Sequence, residues 1–472
     1  MHELSYDVAV IGAGTAGISA HRAATAAGAR SVLIEQGPGG TTCARVGCMP
    51  SKLLAAAGAR AHDARQAGLF GVRVAGVSID GPAVLGRLRA ERDRFVAGVF
   101  AGMDALPEDQ RLAGRARFLD PGTLTVGEDT RVRFRAAVVA TGSSPAVPKP
   151  LRALGDRVLT TDTVFELPDL PASLAVLGGG PVGIEIAQAM ARLGVAVSLF
   201  DVGASLAGLS EPDLVEAAAR IFGAELDLHL QTEIAGAQAV GDGVRLSWTG
   251  PDGRPATGDF SAVLAATGRP PNLEGIGLAQ AGLTLGEDGL PAFDARSLVC
   301  AGGPILIAGD ANAARPVLHE ASRQGGIAGR NAAALAASGR IEAPEPWTRL
   351  AMVFTHPQAA VVGAPYEAGP SGDRIVGRMD FSDQGRARVE GVNHGGIRIW
   401  ADGAGRLLGG EMLGPGVEHL AHLLAYAIQD GLDAQAMAER PVYHPTLEEG
   451  LGTALSHIAH RIDKMRRGSM RS

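Results

Sequence analysis

Two cysteines five residues apart stand in the segment Gly40-Thr-Thr-Cys43-Ala-Arg-Val-Gly-Cys48-Met-Pro-Ser-Lys52. Cysteines can ligate metals, exchange disulfides, or simply pack as small apolar side chains. Metal ligation needs about four ligands, and no second Cys/His pair lies nearby to complete the set. On a regular helix, residues five apart have Cα atoms roughly 8–9 Å apart, beyond the ~7 Å reach of a disulfide. A redox pair therefore requires a distorted turn, and Gly47 and Pro50 suit one. Pro50 in a first helical turn puts Cys48 at the positive end of a helix, where a thiolate is stabilised. On these residues alone two readings stand: a redox disulfide, or two small buried hydrophobes. Cys300 reads as a buried hydrophobe.

A base with an orienting acid is the second constellation. His444 precedes Pro445, and Glu449 follows one turn into an expected helix, so the carboxylate can orient the imidazole as a general base. Lysine occurs only at Lys52, Lys149 and Lys464 in a chain whose other cations are Arg. A compact ammonium is not interchangeable with a guanidinium, which favours a chemical role for Lys52 over a solvated one.

These groups need elements to hold them, and a repeated unit supplies the frame. The first copy reads Tyr6-Asp-Val-Ala-Val-Ile-Gly12-Ala-Gly14-Thr-Ala-Gly17, an Ala-rich helical run, then Ser31-Val-Leu-Ile-Glu35. The second reads Leu174-Ala-Val-Leu-Gly178-Gly-Gly180-Pro-Val-Gly183, a helical run, then Val195-Ala-Val-Ser-Leu-Phe-Asp201. Each is strand, glycine turn, helix and strand, ending in a carboxylate. The first Gly makes the turn, the second admits a pyrophosphate, and the third allows close helix–strand packing. The helix N-terminus offers N–H groups and partial positive charge to phosphates. Glu35 and Asp201 each lie 23 residues beyond the first Gly, near the offset at which an acid holds ribose hydroxyls. Two dinucleotide sites are expected. At the second, Asp201 repels a 2′-phosphate and Val202-Gly-Ala-Ser-Leu-Ala207 offers no Arg to bind one, which points to NAD(H).

Two further apolar strands end alike, in Ala-Thr141-Gly142 and Ala-Thr267-Gly268, and a third ends in Gly309-Asp310. Three prolines between Ser143 and Pro150 read as a linker, and a helix is expected from about Pro316. After Pro346 the pattern changes to alternating strands, Gly396–Trp400 and Gly405–Met412, then helical runs Val417–Gln429 and Leu447–Arg461.

Composition agrees. The 472 residues include 66 Gly, about twice average usage and without a collagen period, and 46% hydrophobic residues, which excludes disorder. Three cysteines exclude a secreted disulfide framework. A net charge of −7, with 43 basic and 50 acidic residues interspersed, argues against nucleic-acid binding. No apolar stretch reaches 18 residues, and a strand begins by Tyr6 without room for a signal peptide. No membrane association and a cytoplasmic enzyme are expected.

Jointly these motifs resemble the class I pyridine nucleotide–disulfide oxidoreductases, flavoenzymes, over essentially the whole chain. The resemblance rests on both fingerprints, Glu35 through Lys52, both Ala-Thr-Gly strands, Gly309-Asp310, Phe354-Thr-His-Pro through Gly363, and His444-Pro-Thr-Leu-Glu-Glu449. Within the family the chain is most similar to the dihydrolipoyl dehydrogenases, from Pro-Ser-Lys52 after the second cysteine and the acid at Asp201.

The resemblance implies an α/β fold with two Rossmann-like dinucleotide-binding domains, for FAD and NAD, plus a C-terminal α+β dimerisation domain. The expected segments are 1–145 (FAD, first part), 146–270 (NAD), 271–343 (FAD or central, second part) and 344–472 (dimerisation). FAD would be held by Gly12, Gly14, Gly17, Glu35, Thr42, Lys52, Thr141, Gly142 and Asp310, and NAD by Gly178, Gly180, Gly183, Asp201 and Gly268. Cys48 would be the flavin-side thiolate, Cys43 the thiol that meets substrate, and Lys52 would pair with Glu185 beside the flavin. The His444–Glu449 pair would serve the disulfide of a partner subunit, implying a homodimer with a small-molecule or lipoyl-domain dithiol substrate and no resident metal.

Four positions depart from the family pattern: Glu448 replaces a small polar residue, Thr41 a second Gly, and Ala44-Arg45 an apolar-Asn pair. Reductases of another disulfide or of a metal ion would share every motif. Mercuric reductase is disfavoured by His444 and by the absence of a cysteine pair in the terminal Arg-Arg-Gly-Ser-Met-Arg-Ser472. A transhydrogenase-like flavoprotein would need neither cysteine, and a flavin-bearing assembly protein would use the disulfide only structurally.

Overall fold

A computed structural model describes residues 2–367 and 374–469. Met1, 368–373 and 470–472, parts of the first and last expected segments, lie outside the described residues. The chain forms two compact units. One comprises Met1–Pro50, Arg89–Ala146 and Gly268–Pro346; the other comprises Ser51–Leu88, Val147–Thr267 and Trp347–Ser472.

The first unit is built on a five-stranded parallel sheet. Its order is Ile305–Ile307, Ala136–Val139, Val8–Ile11, Ser31–Glu35, Arg111–Ala113. Val8–Ile11 is an unbroken apolar run and every residue is buried, as a parallel strand covered on both faces requires. Helices Thr15–Ala26 and Leu318–Ala336 pack against each other on this sheet. Their approach depends on Gly325 and Gly329, where a Cβ would fall 2.2 Å from Ala16 O and 2.1 Å from Ala20 O. A smaller sheet of His2–Ser5, Thr130–Arg133, Thr123–Val126 and Ala116–Asp120 closes the unit.

The second unit repeats the parallel architecture: Asp227–His229, Ala196–Phe200, Ser173–Leu177, Ala262–Ala265, Val158–Leu159. The helix Pro181–Arg192 follows the fingerprint, with Pro at its first position, where no intrahelical N–H is lost. A three-stranded meander, Glu233–Val240, Gly243–Thr249 and Pro255–Phe260, lies beside it.

The C-terminal part is a five-stranded antiparallel sheet ordered Leu350–Val353, Gln358–Gly363, Leu407–Gly414, Gly396–Ala401, Ile375–Asp380. Strand alternation divides it: Met412 joins the core under the C-terminal helices, while Leu413 joins that of the nucleotide fold. The helix Val417–Gln429 has its expected ends. The last helix runs Glu449–Ser469, starting two residues later and ending eight residues later than its apolar pattern indicated. Beyond Arg461 Ile462 still packs in the core, but Asp463 through Arg467 are exposed and carry little periodic signal. The expected helix from Pro316 begins at Leu318, and the expected strands lie at Gly396–Ala401 and Leu407–Gly414.

Candidate active site

The two fingerprints fold identically in their essentials. Gly12 and Gly178 adopt φ of +101° and +110°, a region that favours glycine. A Cβ on either would lie 2.4 Å from a carbonyl oxygen, of Ala140 and Ala266 respectively, in the residue before each Thr-Gly. A Cβ on Gly17 or Gly183 would run into the carbonyl of Gly12 or Gly178, so both third glycines serve packing. At Gly14 and Gly180 a Cβ would meet no protein atom within 4 Å. That open space at a helix N-terminus fits a pyrophosphate.

The acids repeat the symmetry. Glu35 accepts from Ala13 N at 2.7 Å and Gly37 N at 2.9 Å. Asp201 accepts from Gly179 N at 2.5 Å and Gly203 N at 2.7 Å. In each case one carboxylate ties the glycine turn to the loop after the second strand. Each oxygen keeps lone-pair capacity for a ribose hydroxyl.

Near the first cradle, Ser143 Oγ donates to Asp310 at 2.8 Å, and Arg269 bonds Ser143 Oγ and O at 3.2 and 2.8 Å. Gly142 has φ +70°, and Asn272 Nδ2 donates to Thr141 O at 3.1 Å. Thr141 Oγ1 is buried without a hydrogen-bond partner, as is Arg45 Nε. Orphaned buried polar atoms are costly and rare, and beside the open phosphate cradle Thr141 Oγ1 fits a missing polar ligand. Gly268, at φ +127°, accepts from Ala146 N at 3.0 Å.

The cysteine segment is broken between its two cysteines, as a redox pair would require. A four-residue helix, Thr42–Arg45, ends at Val46, and a new helix, Cys48–Gln66, starts at the second cysteine. Cys48 is its first residue and Pro50 its third, so Cys48 sits at the positive helix end. Thr42 is exposed, and both cysteines are half-buried. Thr41 adopts φ +58°, a region that favours glycine, and its Oγ1 caps the short helix by accepting from Ala44 N. A cavity of about 430 Å³ opens at Cys43. Ile18, Met49, Phe95, Val99, Met103 and Leu318 line it, with Thr15, Ser19 and Arg22 supplying polarity.

In the second unit Lys52 Nζ binds both Glu185 oxygens, at 2.7 and 3.0 Å. Glu185 is 5% exposed, and its Oε1 also accepts from Phe354 N at 2.8 Å. The ammonium lies 4.7 Å from the Phe354 ring centroid. Phe354 and Ser143 are partners that sequence reading did not single out; Phe354 was legible only as part of its Phe-Thr-His-Pro run.

His444 Nδ1 lies 2.9 Å from Glu449 Oε1, and Glu449 Oε2 accepts from Thr446 N at 3.1 Å. The imidazole hydrogen bond, and next that from Thr446, hold the Glu449 carboxyl below its ordinary value. His444 is 80% exposed, so its other nitrogen faces outward. Cys300 is buried, and burial pushes its thiol up to about 12. Among the described residues no group of three or more His, Cys, Asp or Glu is placed to hold a metal, and no helix is long and apolar enough to cross a membrane.

Comparison with known proteins agrees with this architecture. Residues 6–326 match the pyridine nucleotide-disulphide oxidoreductase model, and residues 350–455 match the dimerisation domain of the same family. Mercuric reductase of Streptomyces lividans is 33% identical over 483 residues, 98% of each chain. Dihydrolipoyl dehydrogenase of Chlamydia trachomatis is 30% identical over 456 residues, 94% of this chain and 95% of that one. The crystal structure of LpdA from Mycobacterium tuberculosis superposes with a TM-score of 0.81 at 26% identity, covering 95% of this chain and 99% of that one. The family uses FAD and NAD(P). With two glycine cradles, their paired acids and a dimerisation domain in one chain, the protein belongs to the pyridine nucleotide–disulphide oxidoreductase family.

Proposed function

We propose that the protein is a homodimeric, FAD-dependent dithiol–disulfide oxidoreductase that oxidises dihydrolipoamide with NAD⁺ through a Cys43–Cys48 disulfide. The observation that carries the substrate class is the cavity at Cys43, whose wall is largely apolar with a single guanidinium, Arg22. Such a wall suits the aliphatic arm of a lipoyl group, whereas glutathione disulfide presents several charged groups that would go unpaired.

In this reading Gly12, Gly14 and Gly17 would hold the pyrophosphate of FAD, Glu35 a ribose, and Thr42, Thr141, Gly142 and Asp310 would supply polar contacts. NAD⁺ would be held by the second cradle, at Gly178, Gly180, Gly183 and Asp201. The flavin, when bound, relays two electrons between the cysteine pair and the nicotinamide. Lys52, anchored by Glu185, carries a positive charge fixed in place.

The protein's own steps are thiol exchange and proton transfer. His444 of one protomer, oriented by Glu449, removes a proton from a substrate thiol at the cysteine pair of the other. The substrate thiolate attacks the Cys43 sulfur, the Cys43–Cys48 bond breaks, and Cys48 leaves as a thiolate stabilised by its helix end. The second substrate thiol then attacks the sulfur bound to Cys43, closing the cyclic disulfide and leaving Cys43 reduced.

A steady-state panel tests this: dihydrolipoamide, glutathione disulfide and Hg(II), each with both nicotinamide cofactors. The highest kcat/KM is expected for dihydrolipoamide with NAD⁺. A higher value for glutathione disulfide or Hg(II) would replace the substrate assignment. The absence of turnover with all three would favour a non-enzymatic flavoprotein.

A further inference from the structure

One carboxylate outside both fingerprints is bound to the second nucleotide site. Glu411 lies on the central strand Leu407–Gly414 of the C-terminal sheet and is 1% exposed. It accepts hydrogen bonds from Ser210 N at 2.8 Å, Ser210 Oγ at 2.5 Å and Glu211 N at 2.9 Å. These three donors end the loop that begins after Asp201. Glu211 is itself the cap of helix Pro212–Gly223, accepting from Leu214 N at 3.1 Å.

The middle of that loop grips the fingerprint turn. Ala207 N donates to Gly179 O at 2.9 Å, while Gly179 N donates to Asp201 Oδ2. A Cβ at Gly179 would lie 2.6 Å from Leu206 Cδ2, and Leu206, Ala207 and Leu209 are buried. The Gly178–Gly180 turn is therefore held from two sides: directly by Asp201, and through residues 203–211 by a carboxylate on another sheet. Arg398, on the neighbouring strand, surrounds the anchor with charge, 3.4 Å from Asp213 and 3.7 Å from Glu211.

We infer that Glu411 is a positioning residue for the pyridine nucleotide: it fixes the loop that sets the second phosphate-binding turn. The inference rests on the second cradle being the nicotinamide site. A buried carboxylate accepting three N–H or O–H donors cannot lose an oxygen acceptor without leaving a donor unmet. The consequence falls on the loop, then on the turn, and not on the cysteines or on the first cradle.

The test uses FAD-loaded Glu411→Gln, which keeps side-chain length but turns one acceptor into a donor facing donors, together with the milder Ser210→Ala. NADH affinity is measured by equilibrium titration without thiol substrate, alongside steady-state kinetics and FAD content. Expected for Glu411→Gln is a rise of roughly tenfold in the Kd for NADH and the KM for NAD⁺, from one or two lost charge-assisted hydrogen bonds. kcat at saturating NAD⁺, the KM for dithiol and FAD content should stay within about twofold, and Ser210→Ala should show a smaller rise in the same direction. An unchanged Kd in either folded variant overturns the inference, as does a parallel loss of kcat, dithiol KM and FAD. Failure of the wild-type protein to bind NADH would overturn the nucleotide reading itself, and this inference with it.

Discussion

Lys52 and Glu185 form a two-point ion pair, Nζ to Oε2 at 2.7 Å and to Oε1 at 3.0 Å, with the carboxylate almost fully buried. Removing the ammonium leaves Glu185 with only the Phe354 N–H and no opposite charge. Lys52→Ala should lower unfolding free energy by about 1–3 kcal/mol, the cost of a buried group left short of its partner. Chemical denaturation measures this. Lys52→Arg should recover stability only in part, because the guanidinium is larger than the ammonium held between Glu185 and the Phe354 ring.

On the proposed assignment of the second cradle to the nicotinamide cofactor, Asp201 would make cofactor choice electrostatic. With the Asp201 carboxylate bound at the glycine turn and Val202 75% exposed beside it, NADH should exceed NADPH in kcat/KM by at least about tenfold. Val202→Arg should narrow that ratio by improving NADPH, since it adds a phosphate partner and leaves the Gly179 and Gly203 hydrogen bonds in place. Equal efficiency of both cofactors in the unmodified protein would contradict the charge argument.

His444→Gln should lower turnover of dithiol substrate by about 10²–10⁴-fold, the range of a lost general base. NADH-driven reduction of an artificial one-electron acceptor, which needs no thiol proton transfer, should be unaffected.

The same pair carries a pH signature. Because the His444 hydrogen bond depresses the Glu449 carboxyl, its contribution is complete above the ordinary value of 4.5 and fades as pH falls through the lower folded value. Infrared titration of the Glu449 band, identified with Glu449→Gln, should place its midpoint below 4.5 in the wild type and higher in His444→Gln.

Cys300 should be inert. A thiol buried at 3% exposure and pushed up to about 12 has almost no thiolate at pH 8. Alkylation followed by mass spectrometry should modify it only after unfolding.

Much of this was legible in sequence because the responsible physics is local. Gly12, Gly17, Gly178 and Gly183 stand where a Cβ would strike the backbone, so spacing alone revealed both cradles. A redox pair at the five-residue cysteine spacing would require a broken helix, and the break lies at Val46–Gly47. What sequence did not reveal depends on long-range packing. Ser143 meets Asp310 across 167 positions, Phe354 meets Glu185 across 169, and Glu411 meets Ser210 across 201. Glu411 in particular sits in an otherwise apolar strand and gave no periodic signal of its partner.

The central claim, that Cys43 and Cys48 form a disulfide that electrons enter, is tested most directly by counting thiols. The chain has 3 cysteines, so unfolded, oxidised enzyme should expose about one reactive thiol, Cys300, and enzyme first reduced with NADH and then unfolded should expose about three. The same count before and after reduction would contradict the account.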